Sequence, residues 1–108
     1  MDWESAWNAH DIDLVLSHYK DDFEMSSPII AQLVGEASGT LKGKTAVGDY
    51  WRLALEKVPN LKFEVLSVLL GANTLTIYYK GAQARLSAEV FEFGACGKVV
   101  KAIAHYEV

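Results

Sequence analysis

The hydrophobic period of the chain changes at Pro59, and this change restricts the possible folds more than any other feature. Before Pro59, apolar residues recur at helical spacing in Lys44–Val58, which we predict to be the longest helix. After Pro59, apolar and polar residues alternate with a period of two, which is typical of strands with one buried face. Helices followed by a run of strands indicate an α+β domain.

Turn signals divide the second half of the chain into four predicted strands. These are Leu61–Leu70, Thr74–Lys80, Gln83–Phe93 and Lys98–Val108, separated by the segments GAN, KGA and GACG. Because short turns join consecutive strands into antiparallel pairs, we predict a curved antiparallel sheet with helices on one face.

The first half of the chain predicts two short helices and one strand. The helices cover Trp3–His10 and, after Asp11 as N-cap, Ile12–Tyr19. The strand covers Phe23–Ser27 and is ended by the proline that follows. Ile29–Gly43 has three glycines and no clear period, so we predict a long loop of functional interest.

The composition indicates one domain, residues 1–108, with more aromatic side chains than so small a core needs. That excess predicts a cavity or a partner surface. A net charge of −4 without a basic cluster argues against nucleic acid and anionic membranes, and no apolar run is long enough to span a bilayer. The lone Cys96 and the acidic start of the chain predict a cytoplasmic protein.

Glu89 is the most informative candidate for chemistry. In its predicted strand it shares a face with Ser87, Phe91 and Phe93, where burial raises the pKa of a carboxyl group and suits it to proton transfer or hydrogen-bond donation. The alternative is that Glu89 lies near a sheet edge, in water or paired with Arg85. The strand alone favours this alternative.

No other pattern predicts a reactive site. The three histidines lack metal-ligand spacing, no serine or cysteine has the context of a nucleophile, and Cys96 lies in a predicted turn. The segment GTLKGKT, residues 39–45, has one residue too few between its glycines for a phosphate loop and no preceding parallel strand. The sequence therefore predicts neither a metal nor a cofactor.

The order of segments resembles the nuclear transport factor 2-like superfamily, in particular its SnoaL-like and ketosteroid isomerase-like branch. The resemblance rests on WNAHDIDLVLSHYKDDFEMSSP, LKGKTAVGDYWRLAL and FEFGACGKVV, and it covers essentially the whole chain. It implies a cone-shaped, cystatin-like α+β roll. It also implies that the acid pair Asp21–Asp22 closes the helical arm and that the next strand brings residues into a pocket.

The resemblance transfers only part of a catalytic set. The aspartate that serves ketosteroid isomerases as general base, just before the proline that ends the first strand, is replaced here by Ser27. The tyrosine of the first helix that donates to the oxyanion corresponds to Trp3. The second oxyanion donor, a protonated carboxylic acid, corresponds to Glu89. Steroid isomerisation by that mechanism is therefore not expected.

The resemblance also implies a pocket and a dimer interface. The positions implied to bind a ligand are Trp3, Trp7, Tyr19, Met25, Ser27, Trp51, Leu55, Phe91, Ala102, Ala104 and Tyr106. The outer sheet face, with Val68, Tyr78, Val90 and Ile103, is implied to form a homodimer.

Three functions stay open on the sequence alone. The first is binding of a small hydrophobic molecule with Glu89 as its polar partner. The second is an isomerase, dehydratase or cyclase that acts on a polyketide- or terpenoid-like carbonyl compound, with Glu89 as acid or base. The third is a dimerisation module whose aromatic side chains fill its own cavity. One fold can serve all three.

Overall fold

Four α-helices and six strands lie within residues 2–108, the part of the chain that the computed structural model describes. The helices are α1 (Asp2–Asn8), α2 (Ile12–Leu16), α3 (Pro28–Val34) and α4 (Lys44–Lys57). The strands are β1 (Tyr19–Ser26), β2 (Thr40–Lys42), β3 (Glu64–Gly71), β4 (Thr74–Lys80), β5 (Leu86–Phe93) and β6 (Val99–Tyr106). A short 3₁₀ turn, Ala82–Ala84, precedes β5.

The strands form one curved sheet in the order β2-β1-β6-β5-β4-β3, and the predicted α+β roll is confirmed. One detail of that prediction is wrong, because β1 runs parallel to β6 while the other neighbouring pairs are antiparallel. The turn signals apply only to strands that are consecutive in the chain. Since β1 and β6 lie at opposite ends of the sequence, no turn dictates their relative direction.

Helix α4 is the longest helix, as predicted, and lies against the concave face of the sheet. Its buried face includes Val47, Tyr50 and Trp51. Gly48 allows a close approach to α2, because a Cβ atom at this position would lie 3.1 Å from Leu16 Cδ1. The apolar stripe that identified the helix in the sequence is therefore the surface that it buries.

The predicted loop Ile29–Gly43 is wrong, because this segment contains most of α3 and all of β2. Ser27 is the N-cap of α3: its side chain accepts a hydrogen bond from the Ile29 backbone N–H at 3.1 Å. Pro28 follows in the first turn, where its missing N–H costs nothing, and Gly35 ends the helix in a left-handed conformation, φ 74°. The Ser-Pro pair was a helix-start signal.

The second helix is shorter than predicted and the first strand is longer. Helix α2 ends at Leu16, and Tyr19 already belongs to β1, where it is in register with Val99 of β6. Asp21 and Asp22 lie exposed within β1, so they do not close the helical arm as the resemblance implied. Pairing with β6, which is distant in sequence, overrides the helical spacing of this segment.

The outer face of the sheet includes Tyr78, Val90 and Ile103, but the placement of Val68 on that face is wrong. Val68 is in register with Ile77, which is buried, and Ile77 is in register with Glu89. Opposed residues share a face, so Val68 belongs to the concave face. A register shift between Val65 and Ser67 breaks the alternation that the sequence suggested.

Among residues 2–108, no helix combines the length and apolar character that a membrane-spanning segment requires.

Candidate functional site

Glu89 lies at the middle of β5 and points to the concave side of the sheet. It is in register with Ile77 on one side and Ala104 on the other, and both are buried. The alternation of β5 places Ser87 and Phe91 on the same buried face, as predicted. Only 5% of Glu89 is exposed, so its carboxyl group has lost almost all contact with water.

The burial of Glu89 changes its acid strength. Loss of water raises the pKa of Glu89 to about 7, because the charged form is poorly solvated in the interior. A hydrogen bond from the Tyr79 hydroxyl to Glu89 Oε1, 3.4 Å long, opposes this shift by stabilising the carboxylate. Glu89 therefore changes its protonation state near neutral pH.

Arg85 does not neutralise Glu89, so the alternative of a solvated or ion-paired strand residue is wrong. The Arg85 guanidinium donates through Nε and Nη2 to the backbone oxygen of Glu107, at 3.1 and 2.9 Å. Its central carbon lies 5.2 Å from the centre of the Tyr106 ring. The sequence separation of four residues suggested a pair, but Arg85 is exposed just before the start of β5, whereas Glu89 lies in the buried middle of that strand.

Four tyrosine hydroxyl groups interact with the charge of the Glu89 carboxyl group, and that of Tyr79 also bonds it directly. Burial raises the pKa of Tyr19, Tyr50, Tyr79 and Tyr106, and the negative charge of Glu89 raises each of them further. All four hydroxyls therefore stay protonated at neutral pH and can act as hydrogen-bond donors. They make a polar centre inside an otherwise apolar interior.

Ser27 belongs to this polar centre but has no base beside it. Its hydroxyl lies 3.4 Å from the Tyr106 hydroxyl, and an interaction with Ser27 lowers the pKa of both Tyr106 and Tyr50 against the larger effect of burial. Ser27 is buried, and it also caps α3. These contacts give Ser27 a structural role and supply no group that would activate it as a nucleophile or base.

A cavity of about 240 Å³ opens beside Glu89, between α3, α4 and the concave face of the sheet. Glu89, Ser87 and Tyr106 supply polar groups from the sheet, and Trp7 and Trp51 supply aromatic walls from α1 and α4. The other lining residues are Met25, Ile29, Leu33, Tyr50, Ala54, Lys57, Val58, Leu61, Phe63, Tyr79, Gly81, Ala82 and Arg85. An apolar cavity with a few convergent polar groups is the usual form of a small-molecule site.

Side chains of α1 bond the backbone around Phe63, which lines one side of this cavity. Asn8 bonds both backbone groups of Phe63: its Nδ2 donates to the Phe63 oxygen at 2.9 Å, and its Oδ1 accepts from the Phe63 nitrogen at 2.7 Å. The Val65 backbone nitrogen donates to Glu4 Oε2 at 2.7 Å. These side chains satisfy backbone groups that a neighbouring strand would otherwise bond, because β3 is an edge strand. They also hold Phe63 against the rings of Trp3 and Trp7.

A second cavity, of about 230 Å³, lies on the other side of the aromatic core. The Trp3 ring is in edge contact with the rings of Tyr79 and Phe91, and the Phe91 ring is in edge contact with that of Tyr19. The Trp3 Nε1–H donates to the Tyr19 hydroxyl at 3.3 Å. The second cavity is lined by Asp2, Trp3, His18, Tyr19, Leu75, Ile77, Phe91, Phe93 and Val99. The interior is thus divided, whereas the resemblance implied one pocket.

The predicted ligand-binding residues are distributed over this divided interior. Trp7, Met25, Trp51, Tyr106 and Glu89 line the first cavity, and Trp3, Tyr19 and Phe91 line the second. Leu55 lies in a surface cleft beside His10 and Asp11. Ala102 and Ala104 are buried core residues, and Ser27 contacts Tyr106 behind the wall of the first cavity.

Sequence reasoning missed Ile29, Leu33 and Phe63 as lining residues. Ile29 and Leu33 belong to α3, and recognition of the Ser-Pro helix start would have assigned them to one helical face. Phe63 precedes β3 and is placed by side chains of α1, for which the sequence has no local signal. Among residues 2–108, no group of three His, Cys, Asp or Glu side chains is arranged to hold a metal ion.

Comparison with known proteins agrees with this architecture. The family model described as the SnoaL-like domain matches residues 2–106, nearly the whole described chain. The chain belongs to the SnoaL-like family. A solved SnoaL-like protein of unknown function from Burkholderia thailandensis is 55% identical, with a TM-score of 0.95 over 99% of this chain and 89% of that chain. No curated protein matches this SnoaL-like domain.

More distant structures share the fold alone. A protein of unknown function with a cystatin-like fold from Methylobium petroleophilum is 18% identical, with a TM-score of 0.77 over 99% of this chain and 72% of that chain. AclR from Streptomyces galilaeus, described as a putative hydroxylase, is 16% identical, with a TM-score of 0.73 over 98% of this chain and 71% of that chain. The SnoaL-like domain therefore has relatives by fold that differ widely in sequence.

Proposed function

We propose that this SnoaL-like domain binds a small, mostly apolar molecule in the first cavity, with a hydroxyl or carbonyl oxygen of the ligand at Glu89. The observation that carries this proposal is the burial of one titratable acid against a largely apolar cavity. Glu89 can donate a hydrogen bond when neutral and accept one when charged, so it can pair with either kind of oxygen. The remaining walls favour hydrophobic contact.

The cavity volume limits the ligand. Liquid water occupies about 30 Å³ per molecule, so about 240 Å³ corresponds to about eight non-hydrogen atoms. A substituted single ring fits this volume. The aromatic side chains leave this volume free, which argues against a module whose own side chains fill its cavity.

Filling the cavity by mutation tests the location of the site. Ala54 lines the cavity on α4, so Ala54→Phe should occupy the ligand volume and abolish binding of a neutral probe such as 4-ethylphenol. Ala46→Phe is the matched control, because Ala46 lies half-buried on the same helix outside the cavity lining. Quenching of Trp7 and Trp51 fluorescence reports binding. Equal affinity of Ala54→Phe and the parent would place the site elsewhere.

Two substitutions of Glu89 test its role in binding. Glu89→Gln keeps the shape and a hydrogen-bond donor, so the affinity for 4-ethylphenol should change little. Glu89→Leu removes the polar partner and should weaken binding by about 1–3 kcal/mol. If Glu89→Leu binds the phenol as tightly as the parent, the ligand oxygen does not lie at Glu89.

A second candidate function is catalysis by an isomerase, dehydratase or cyclase that acts on a carbonyl compound. A Glu89 pKa of about 7 favours it, since such a group can both remove and return a proton at neutral pH. The description of AclR as a putative hydroxylase adds that an enzyme can use this fold. The absence of a carboxylate at Ser27 weighs against it and places binding first.

Hydrogen exchange distinguishes catalysis from binding alone. In deuterated water, the Glu89 carboxylate would remove the α-proton of a bound aryl ketone and leave the enolate. The protonated Glu89 would exchange that proton for a deuteron from the solvent and return the deuteron to the same carbon. NMR would then show the loss of the ketone α-protons at a rate above that of buffer. Glu89→Gln should bind the ketone and stop the exchange. If the parent exchanges no faster than buffer, the catalytic candidate is rejected.

A further inference from the structure

The charged residues that line the first cavity are negative in its interior and positive at its solvent-exposed rim. Glu89 is the single acid of the lining and is buried, whereas Lys57 and Arg85 are exposed at the rim. A surface cleft of about 410 Å³ adjoins the cavity and shares Lys57, Val58, Leu61, Gly81 and Ala82 with it. This cleft adds Lys62 and no acid. The rim is therefore basic in a chain that has 14 acidic and 10 basic residues.

The cations at the rim are free to bind a ligand. Within residues 2–108, no carboxylate lies within ion-pair distance of Arg85 or Lys57. The nearby Glu107 uses its Oε1 to accept a hydrogen bond from the Leu86 backbone nitrogen at 2.8 Å. Neither rim cation is therefore held in an ion pair by the described residues.

Arg85 is also held in a fixed position. Its Nε and Nη2 donate to the Glu107 backbone oxygen, and its guanidinium lies over the Tyr106 ring. These contacts leave the donors of Nη1 available. Because the Tyr106 ring also lines the cavity, Arg85 and the cavity wall form one continuous surface. A planar anion can bind such an ordered guanidinium with little loss of side-chain entropy.

From this arrangement we infer that the ligand is a small carboxylate whose anionic group binds between Lys57 and Arg85 while its apolar body enters the cavity. The inference rests on the proposed function and adds the charge and the orientation of the ligand. Binding in this orientation places the far end of the apolar body toward Glu89. A phenol ring with one methylene has about eight non-hydrogen atoms, which matches the cavity volume and leaves the carboxylate at the rim.

A pair of isosteric probes tests the inference. The carboxylate is 3-(4-hydroxyphenyl)propanoate, and the neutral control is the corresponding propanamide, which has the same shape. The parent protein should bind the carboxylate about fivefold more tightly at low salt, and the difference should shrink at high salt because exposed charges are screened. The amide should show no such salt dependence.

Charge variants locate the anion. Lys57→Gln and Arg85→Gln should each weaken carboxylate binding about two- to fivefold more than they weaken amide binding. Arg85→Lys, which keeps the charge, guards against a folding defect and should recover part of the affinity. Lys98→Gln is the matched control, since Lys98 is exposed in the turn between β5 and β6 and outside the cavity lining.

The outcomes separate this inference from the proposed function. If both probes bind equally and Ala54→Phe abolishes both, the cavity is the site and the anionic contact is wrong. If neither probe nor any neutral phenol binds at millimolar concentration, the proposed function and this inference both fail. A preference for the carboxylate that survives in both Gln variants would also overturn the inference, because the anion would then bind elsewhere.

Discussion

Replacement of Glu89 by Gln should make the protein more stable at alkaline pH. The folded state raises the pKa of Glu89 from its ordinary 4.5 to about 7, chiefly because the carboxylate is buried. Between these two values the folded protein holds a proton at Glu89 that the unfolded chain has released. Stability rises with pH only where the unfolded state binds more protons, so the contribution of Glu89 falls as the pH rises from about 4.5 to about 7.

The size of this effect follows from the pKa difference. Each pH unit corresponds to about 1.4 kcal/mol, so the change from 4.5 to about 7 amounts to about 3 kcal/mol. The loss is nearly complete at about pH 8, where Glu89 is charged in both states. Gln has no charge at any pH and resembles neutral Glu89 in shape. The two proteins should therefore be similarly stable below pH 4.5 and differ by up to about 3 kcal/mol at pH 8.

Urea unfolding of both proteins from pH 4.5 to 8.5 measures this difference directly. Subtraction of one free-energy curve from the other removes the contribution of all other titrating groups, provided that they do not interact with Glu89. Glu92→Gln is the matched control, because Glu92 is exposed on the same strand. A Glu89→Gln difference that stays constant across this pH range, or that favours the parent at pH 8, would show that Glu89 is not buried as described.

Three further predictions concern other parts of the chain. Ala84 has a left-handed backbone, φ 59°, so Ala84→Gly should stabilise the protein by about 1 kcal/mol in urea unfolding. Ala82→Gly in the same turn is the control and should not stabilise it. Destabilisation by Ala84→Gly would contradict the turn geometry. We predict a homodimer through the outer sheet face. Leu69 lies on this face, because it is in register with Thr76 and Thr76 with Val90, and 61% of Leu69 is exposed. Sedimentation should show a dimer at micromolar concentration and a monomer after Leu69→Glu, and a monomeric parent would refute this prediction. Ser27→Ala removes the cap of α3 and should cost about 1 kcal/mol of unfolding free energy. The affinity for 4-ethylphenol should stay unchanged, and a weaker affinity would show that Ser27 contacts the ligand.

The sequence determined those elements whose signals are local. Helix α4 and strands β3 to β6 follow from the change of hydrophobic period at Pro59 and from the turns between the strands, because side chains in regular elements face one side at fixed intervals. The same alternation assigned Glu89 to the face of Ser87 and Phe91. Helix α3 had a local signal too, in Ser27 and Pro28, but the glycines that follow suggested a loop.

How those faces meet depends on contacts between segments that are distant in the sequence. The parallel pairing of β1 with β6 joins opposite ends of the chain, and no local pattern encodes its direction. The division of the interior into two cavities depends on contacts between Trp3, Tyr19 and Phe91, which come from three different elements. The sequence also left open whether Glu89 pairs with Arg85, since the pKa of a carboxyl group depends on the water and charge around it in three dimensions. Packing of distant segments removes that water and places Arg85 at the rim, and both effects arise only when the chain is folded.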